Sequence, residues 1–408
     1  MQNNLLLSKG QKTVILILLL STMGLFGVST SIVGVLLPQI IAHYTLPLSI
    51  AALLTVFKSI GGVAALMIGG VLAERLGKLQ VILISIGLQG LSLYCTSMSF
   101  SYFFLLIIFF VRGISSSIIN MICCAYIADL YPEKKNLYVN LVSTFMSIGC
   151  FIGPIYSNFL LYKGMSWGNN FEIIGILNLF ILFAFCLYIF KEKNIIHRSA
   201  VVNNCTEKTG FLQFFHDKKV ILICVLCFFY MGHHQSFLVW MPTYLNSKMI
   251  YTVEIINWLM SIFWVSVAVG RFAYGYLSKK INTALYFSVS GIVGTVTMLA
   301  GIFHNTIIVW RISIITLGVI TGAVYPTAIA LACDTYPECS GRITSVVCIS
   351  ALLGGMFFGW LFGVIVQYWS SLSAIIIVMT IPLLVVTLLG NLFMNKKPVV
   401  TKPQRREQ

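Results

Sequence analysis

Twelve apolar runs joined mostly by short connections leave this 408-residue chain few folds to choose from. They lie near 14–37, 48–72, 80–99, 102–127, 138–161, 172–190, 220–241, 255–277, 284–303, 307–331, 345–366 and 372–394. Crossing a hydrocarbon core of about 30 Å takes roughly 20 helical residues. A segment in lipid must satisfy its own backbone hydrogen bonds, so runs of this length are helices. Composition agrees: 59% of residues are hydrophobic, 9% are charged and mean hydropathy is +0.95, against roughly 25% charged in ordinary soluble domains. The expected fold class is an all-α membrane protein with twelve transmembrane helices.

The chain also repeats itself. Asp129-Leu-Tyr-Pro-Glu133 returns 205 residues later as Asp334-Thr-Tyr-Pro-Glu338, and at the same offset Gly27 meets Gly232, Gly113 meets Gly318 and Gly149 meets Gly354. Duplication predicts two pseudo-symmetric six-helix halves, 1–190 and 220–408, joined by the charged segment 191–219. A solute would bind between such halves.

A formal net charge of +15 would suggest nucleic acid in a soluble protein. Position excludes that reading. The tails, the 191–219 segment and alternate loops hold most of the Lys and Arg, whereas only Lys163 and Lys248 fall in loops on the other side. By the positive-inside rule both termini are expected in the cytoplasm, with the chain in the plasma membrane. The first span reads as an uncleaved anchor. The 11 cysteines show neither extracellular pairing nor zinc-ligand spacing, so they read as small apolar fillers. No Walker spacing or HExxH helix is present, and no cofactor, metal or enzymatic chemistry is expected. The expected partners are lipid, a small solute and a coupling proton, and the expected working unit is a monomer.

Ionisable and polar residues inside spans are functional candidates because they are expensive there. Lys58 and Arg112 stand near the middle of the second and fourth spans, each costing about 2.5–3.5 kcal/mol at a helix centre on insertion scales. With no acid in mid-span to pair them, an organic anion is a sensible partner. The plainer readings are snorkelling for Lys58 and backbone bonding for Arg112. His233 and His234 sit mid-span in the seventh helix beside Gln235. Neighbouring helical residues diverge by about 100°, so at most one of the two faces a central cavity, where it would carry a coupling proton near neutral pH. Asn120 and Tyr325 are partners at the 205 offset and are candidate binding residues, as is Trp264. Tyr230 and Trp258 are further ring candidates, though aromatics at helical spacing are more often packing. Asp129 and Asp334 read as gate charges or helix caps, and Arg271 as a structural cation near the cytoplasmic mouth.

Gly70-Val-Leu-Ala-Glu74-Arg75-Leu-Gly77-Lys78 ends the second span with a glycine for close helix contact and charges for neighbouring helix ends. This segment resembles the signature loop of the major facilitator superfamily, and twelve spans in two halves fit the same family. The resemblance implies a secondary transporter working by alternating access.

A narrower resemblance rests on Leu36-Leu37-Pro38-Gln39, on Asn140-Leu141 with Thr144-Phe145, Ser147 and Gly149, on Gly270-Arg271-Phe272 with Gly275, and on Tyr325-Pro326-Thr327. Together these resemble the fucose permease branch of sugar:proton symporters. That branch implies acids where this chain has Gly34 and Asn120, and an amide at Ser143. Gly149-Cys-Phe-Ile-Gly153-Pro154 also resembles the fifth-span motif of drug:proton antiporters, which makes multidrug efflux the rival reading. A non-transporting nutrient sensor is a third, disfavoured by the short tail.

Overall fold

The computed structural model describes residues 8–131, 135–191, 217–247, 251–277, 280–336 and 340–394, nearly all helical and with no strand among them. Most of the connecting segment 191–219 falls outside the described residues, as does the side chain of Glu74. Twelve described helices are long and apolar enough to cross a membrane. In order they are Lys9–Tyr44, Leu48–Gly69, Lys78–Ser97, Tyr102–Ile127, Leu141–Tyr162, Trp167–Lys191, Lys218–Ser247, Val253–Leu277, Thr283–His304, Ile307–Thr335, Ile343–Tyr368 and Ser371–Phe393. The chain is an all-α, multi-pass membrane protein.

Local chemistry sets the helix ends. Ser8 and Gln11 form a reciprocal capping box at the start of the first span, which satisfies two backbone N–H groups that a helix start otherwise leaves bare. Between the second and third spans the chain turns at Gly77, with φ 92°, a conformation that side chains with a Cβ rarely adopt. That is why the signature loop needs glycine there. Beside it Lys78 Nζ pairs with Asp129 at 2.5 Å, joining the third span to the end of the fourth. Arg75 and Asp334 are exposed, and the surroundings of Gly70 are outside the described residues.

Helix pairing repeats between halves. The first span packs on the fifth, the second on the fourth and the third on the sixth; the seventh packs on the eleventh, the eighth on the tenth and the ninth on the twelfth. The repeated glycines mark the crossings. A Cβ at Gly113 would overlap the backbone carbonyl of Lys58, and one at Gly318 would meet the backbone of Phe263 and the side chain of Ser266. Positions 58 and 263 are themselves 205 apart, so the duplication conserves the contact as well as the residue.

The core is divided unequally along the membrane normal. At the end remote from the termini, one apolar cluster spans both halves, with Leu36, Leu37 and Ile40 packed among Phe237, Trp240 and Phe362. Toward the termini the core splits into two clusters, one from the first six spans and one from the last six. Contacts between halves follow that division. Asn257 donates to Asn158 at 3.4 Å, Ser261 donates to the Phe151 carbonyl at 3.0 Å, and Ser49 bonds Gln367. Among the described residues the bundle is thus sealed at the far end and parted at the terminal end.

Candidate functional site

The polar residues of the membrane interior divide into those already satisfied by protein and those that are not. Arg112 is satisfied only in part, because its Nε and Nη1 are buried with no hydrogen-bond partner among the described residues. It is 1% exposed, its Nη2 donates to the Ser29 carbonyl at 3.1 Å, and its guanidinium lies between the rings of Phe109 and Phe171 at 4.6 and 5.1 Å. A hydrogen bond from a charged group contributes about 1.5–3 kcal/mol and each ring about 0.5–2 kcal/mol. Those gains offset part of its insertion cost, while Nε and Nη1 stay buried and unpaired.

Around Arg112 stands a buried polar network. Gln89 donates to Ser29 at 3.3 Å and accepts from Ser115 at 2.5 Å. Sequence reasoning missed Gln89, although an amide in the middle of the third span was the signal.

Lys58 is different. It is half-buried and, among the described residues, has no hydrogen-bond or acidic partner. Its charge and that of Arg112 are close enough to repel. The second span, which carries Lys58, packs on the eleventh across the halves, with Thr55 beside Gly359 and Gly62 beside Leu352, which sets Lys58 at the seam. Asn120, although in mid-span, is exposed. Tyr325 is half-buried, and its hydroxyl donates to Cys348 Sγ at 3.1 Å.

The seventh span supplies the other candidates. His233 Nδ1 lies 2.7 Å from the Met379 carbonyl, and since a carbonyl only accepts, Nδ1 carries the hydrogen. His234 stacks on Tyr230 with ring centroids 5.7 Å apart and meets the edge of Trp264 at 6.0 Å. Gln235 packs toward Gly355 of the eleventh span. The two histidines do diverge, one toward the twelfth span and one toward the eighth.

Tyr230 and the structural cation Arg271 both bond backbone carbonyls. Tyr230 donates to the Thr321 carbonyl at 2.8 Å and Arg271 Nε to the Gly322 carbonyl at 3.1 Å. Trp258 is 47% exposed on the eighth span.

Gly34, where the fucose permease pattern has an acid, packs against the seventh span so closely that a Cβ would overlap the Leu238 carbonyl. No carboxylate fits there while the far end is sealed.

The comparisons accord with this arrangement. The profile of the Major Facilitator Superfamily matches residues 19–347 and 250–408. The chain belongs to that superfamily. It is a transporter and not an enzyme. Among relatives of this major facilitator chain, Protein TsgA homolog of Buchnera aphidicola subsp. Baizongia pistaciae is 23% identical over 355 residues, 86% of this chain and 88% of that one. Protein TsgA of Escherichia coli O9:H4 (strain HS) is 23% identical over 369 residues with the same coverage, 86% and 88%.

Two solved structures share the fold. The nucleoside transporter NupG, as a point mutant, superposes with TM-score 0.76 at 11% identity, covering 93% of this chain and 99% of that one. A bacterial homologue of the human lysosomal transporter Spinster, inward-facing and unoccupied, gives TM-score 0.68 at 15% identity, covering 94% and 96%.

Proposed function

We propose that this chain is a secondary-active transporter that carries a small organic anion across the plasma membrane by alternating access. The observation that carries the reading is Lys58, a charged side chain at the seam between halves with no partner of its own among the described residues. The positive-inside bias puts the termini, and with them the parted end, in the cytoplasm. On that reading the conformation is open to the cytoplasm. The bodies that rock are 1–190 and 220–408, joined by 191–219.

An anion at Lys58 would meet Asn120, Gln235, Trp264 and Tyr325 as further lining, with Arg112 adding field from within the first half. Resemblance to the fucose permease branch, and the fold shared with a nucleoside transporter, support a neutral polar solute as the second reading. Against it, a neutral solute leaves the Lys58 charge uncompensated. Proton coupling, where it occurs, runs through His234, because His233 is held by the Met379 carbonyl.

The test is uptake into proteoliposomes of carboxylates, sugars, nucleosides and dyes, with and without an imposed pH gradient. Loss of a charge-assisted hydrogen bond of about 1.5–3 kcal/mol predicts that Lys58→Ala weakens anion affinity roughly 10- to 150-fold. Unchanged affinity in that variant would overturn the anion reading and leave the neutral solute.

A further inference from the structure

The tenth span is divided by a turn in mid-membrane. Its first helix ends at Thr321, Gly322 and Ala323 form the turn, and a second helix runs Val324–Thr335. Breaking a helix in lipid frees backbone groups that water cannot satisfy, so such breaks persist only where side chains take over.

Three side chains do so here, one from each of three helices. Tyr286 of the ninth span donates to the Ile320 carbonyl at 2.9 Å and accepts from Ala323 N–H at 3.2 Å. Tyr230 of the seventh donates to the Thr321 carbonyl at 2.8 Å. Arg271 of the eighth donates through Nε to the Gly322 carbonyl at 3.1 Å.

The three carbonyls are not equivalent. In a straight helix the carbonyls of Ile320 and Thr321 would accept from the N–H groups of Val324 and Tyr325. The carbonyl of Gly322 would look to residue 326, which is proline and has no N–H. So Tyr286 and Tyr230 hold bonds that the backbone could take back, while Arg271 replaces a donor the backbone lacks. Exchanging one hydrogen bond for another changes the net energy little, which leaves the interrupted arrangement seen here and a continuous helix close in energy. Proline alone does not break these helices, since Pro38, Pro154 and Pro242 lie within continuous ones.

The duplication supplies an internal control. At the 205 offset the first half has Leu25, Leu66 and Val81 in place of Tyr230, Arg271 and Tyr286, and Met121 in place of Pro326. None of the three donors is there, neither is the proline, and the fourth span runs unbroken from Tyr102 to Leu130.

We propose that Gly322–Ala323 is a hinge on which the twelve-residue inner segment Val324–Thr335 moves relative to its own half, and that Arg271 is the positioning residue at its pivot. This goes beyond rigid rocking and does not depend on which solute is carried. Tyr230 and Tyr286 hold the interrupted arrangement and release it when Val324 and Tyr325 return to the helical ladder. Arg271 stays on the Gly322 carbonyl in both.

The experiment is a spin-label distance measurement on the full chain in nanodiscs, with labels carried by a genetically encoded ketone residue so that the 11 cysteines do not react. Labels at Leu285 and Ala330, both exposed, lie in the same half, so rigid rocking leaves their separation unchanged. A helix of twelve residues is about 18 Å long, and a 20° bend moves its end by roughly 6 Å.

Two distance components about 6 Å apart are therefore expected in the unsubstituted chain. Pro326→Ala and the pair Tyr230→Phe with Tyr286→Phe each collapse them toward the straight form. Arg271→Gln broadens the distribution, and in the Pro326→Ala background it changes nothing. One narrow component shared by all variants would overturn the hinge, and an Arg271→Gln effect undiminished by Pro326→Ala would overturn the pivot. Should Arg271→Gln fail to fold, Tyr286→Phe alone decides: a shift toward the straight form supports the proposal and no shift refutes it.

Discussion

Gly34 offers a direct perturbation of the balance between conformations. It lies where the first and seventh spans cross, one from each half, and a Cβ there would overlap the Leu238 carbonyl. That carbonyl also lacks its usual in-helix donor, because residue 242 is proline. Overpacking by one methyl in a close-packed contact costs typically 1–3 kcal/mol. The cost falls only on the sealed far end, since separating the halves there relieves it. At about 2 kcal/mol, Gly34→Ala shifts the equilibrium toward the opposite conformation by roughly 30-fold.

Gly27→Ala is the control. Gly27 is pressed against the Met146 carbonyl within the first half, so the same methyl should lower thermal stability without redistributing conformations. Spin labels at Ile50 and Leu372, which are exposed near the sealed end in opposite halves, report the balance. The reasoning fails if Gly34→Ala leaves the distance distribution unchanged, or if Gly27→Ala shifts it as much.

Other expectations follow from single contacts. Both members of the Lys78–Asp129 pair are partly exposed, at 21% and 33%; a double-mutant cycle with Lys78→Met and Asp129→Asn should give a coupling of about 1 kcal/mol or less, falling with added salt. His233→Gln should reduce thermal stability by about 1 kcal/mol through loss of the Met379 bond while uptake keeps its response to a pH gradient. His234→Gln should remove that response; a retained response would exclude the seventh span as the coupling path. Burial, then the hydrogen bond and charge of Asp217, raises the Tyr336 phenol above its ordinary value of 10.0. A phenol whose folded value is raised lends stability below its unfolded value and loses it as pH climbs through the folded one. Alkaline melting curves should therefore show a loss above about pH 10 that Tyr336→Phe lacks.

Span number and the internal repeat were legible in the sequence because each follows from length or offset, whereas the positive-φ turn at Gly77 was not singled out. The commitments of the polar residues were not legible either. Arg271 read as a structural cation and Tyr230 as a ring candidate, but their carbonyl partners at Gly322 and Thr321 lie 51 and 91 residues away in a helix whose break no periodicity signals. Gly34 looked like a missing acid, whereas its close approach to Leu238 is a packing demand between halves. Trp258 could not be told from Trp264 by spacing, yet one is 47% exposed and the other 4%.

The two halves keep one brace in different chemical form, and the difference bears on which half flexes. Tyr131 and Tyr336, the tyrosines of the repeated phrase, each hold the start of the first helix of their half. Lys12 lies 6.0 Å over the Tyr131 ring, and Tyr336 donates to Asp217 at 3.1 Å, positions 12 and 217 being again 205 apart. The first half adds the Lys78–Asp129 pair. In the second half the equivalent of Lys78 is Thr283, and Asp334 is exposed with no ion pair among the described residues. The fourth span is thus braced along its inner end and unbroken, whereas the tenth has lost that brace and gained a turn. Restraint removed and a hinge added in the same helix make the second half the one built to move within itself, with the first half, which carries Lys58, as the firmer wall.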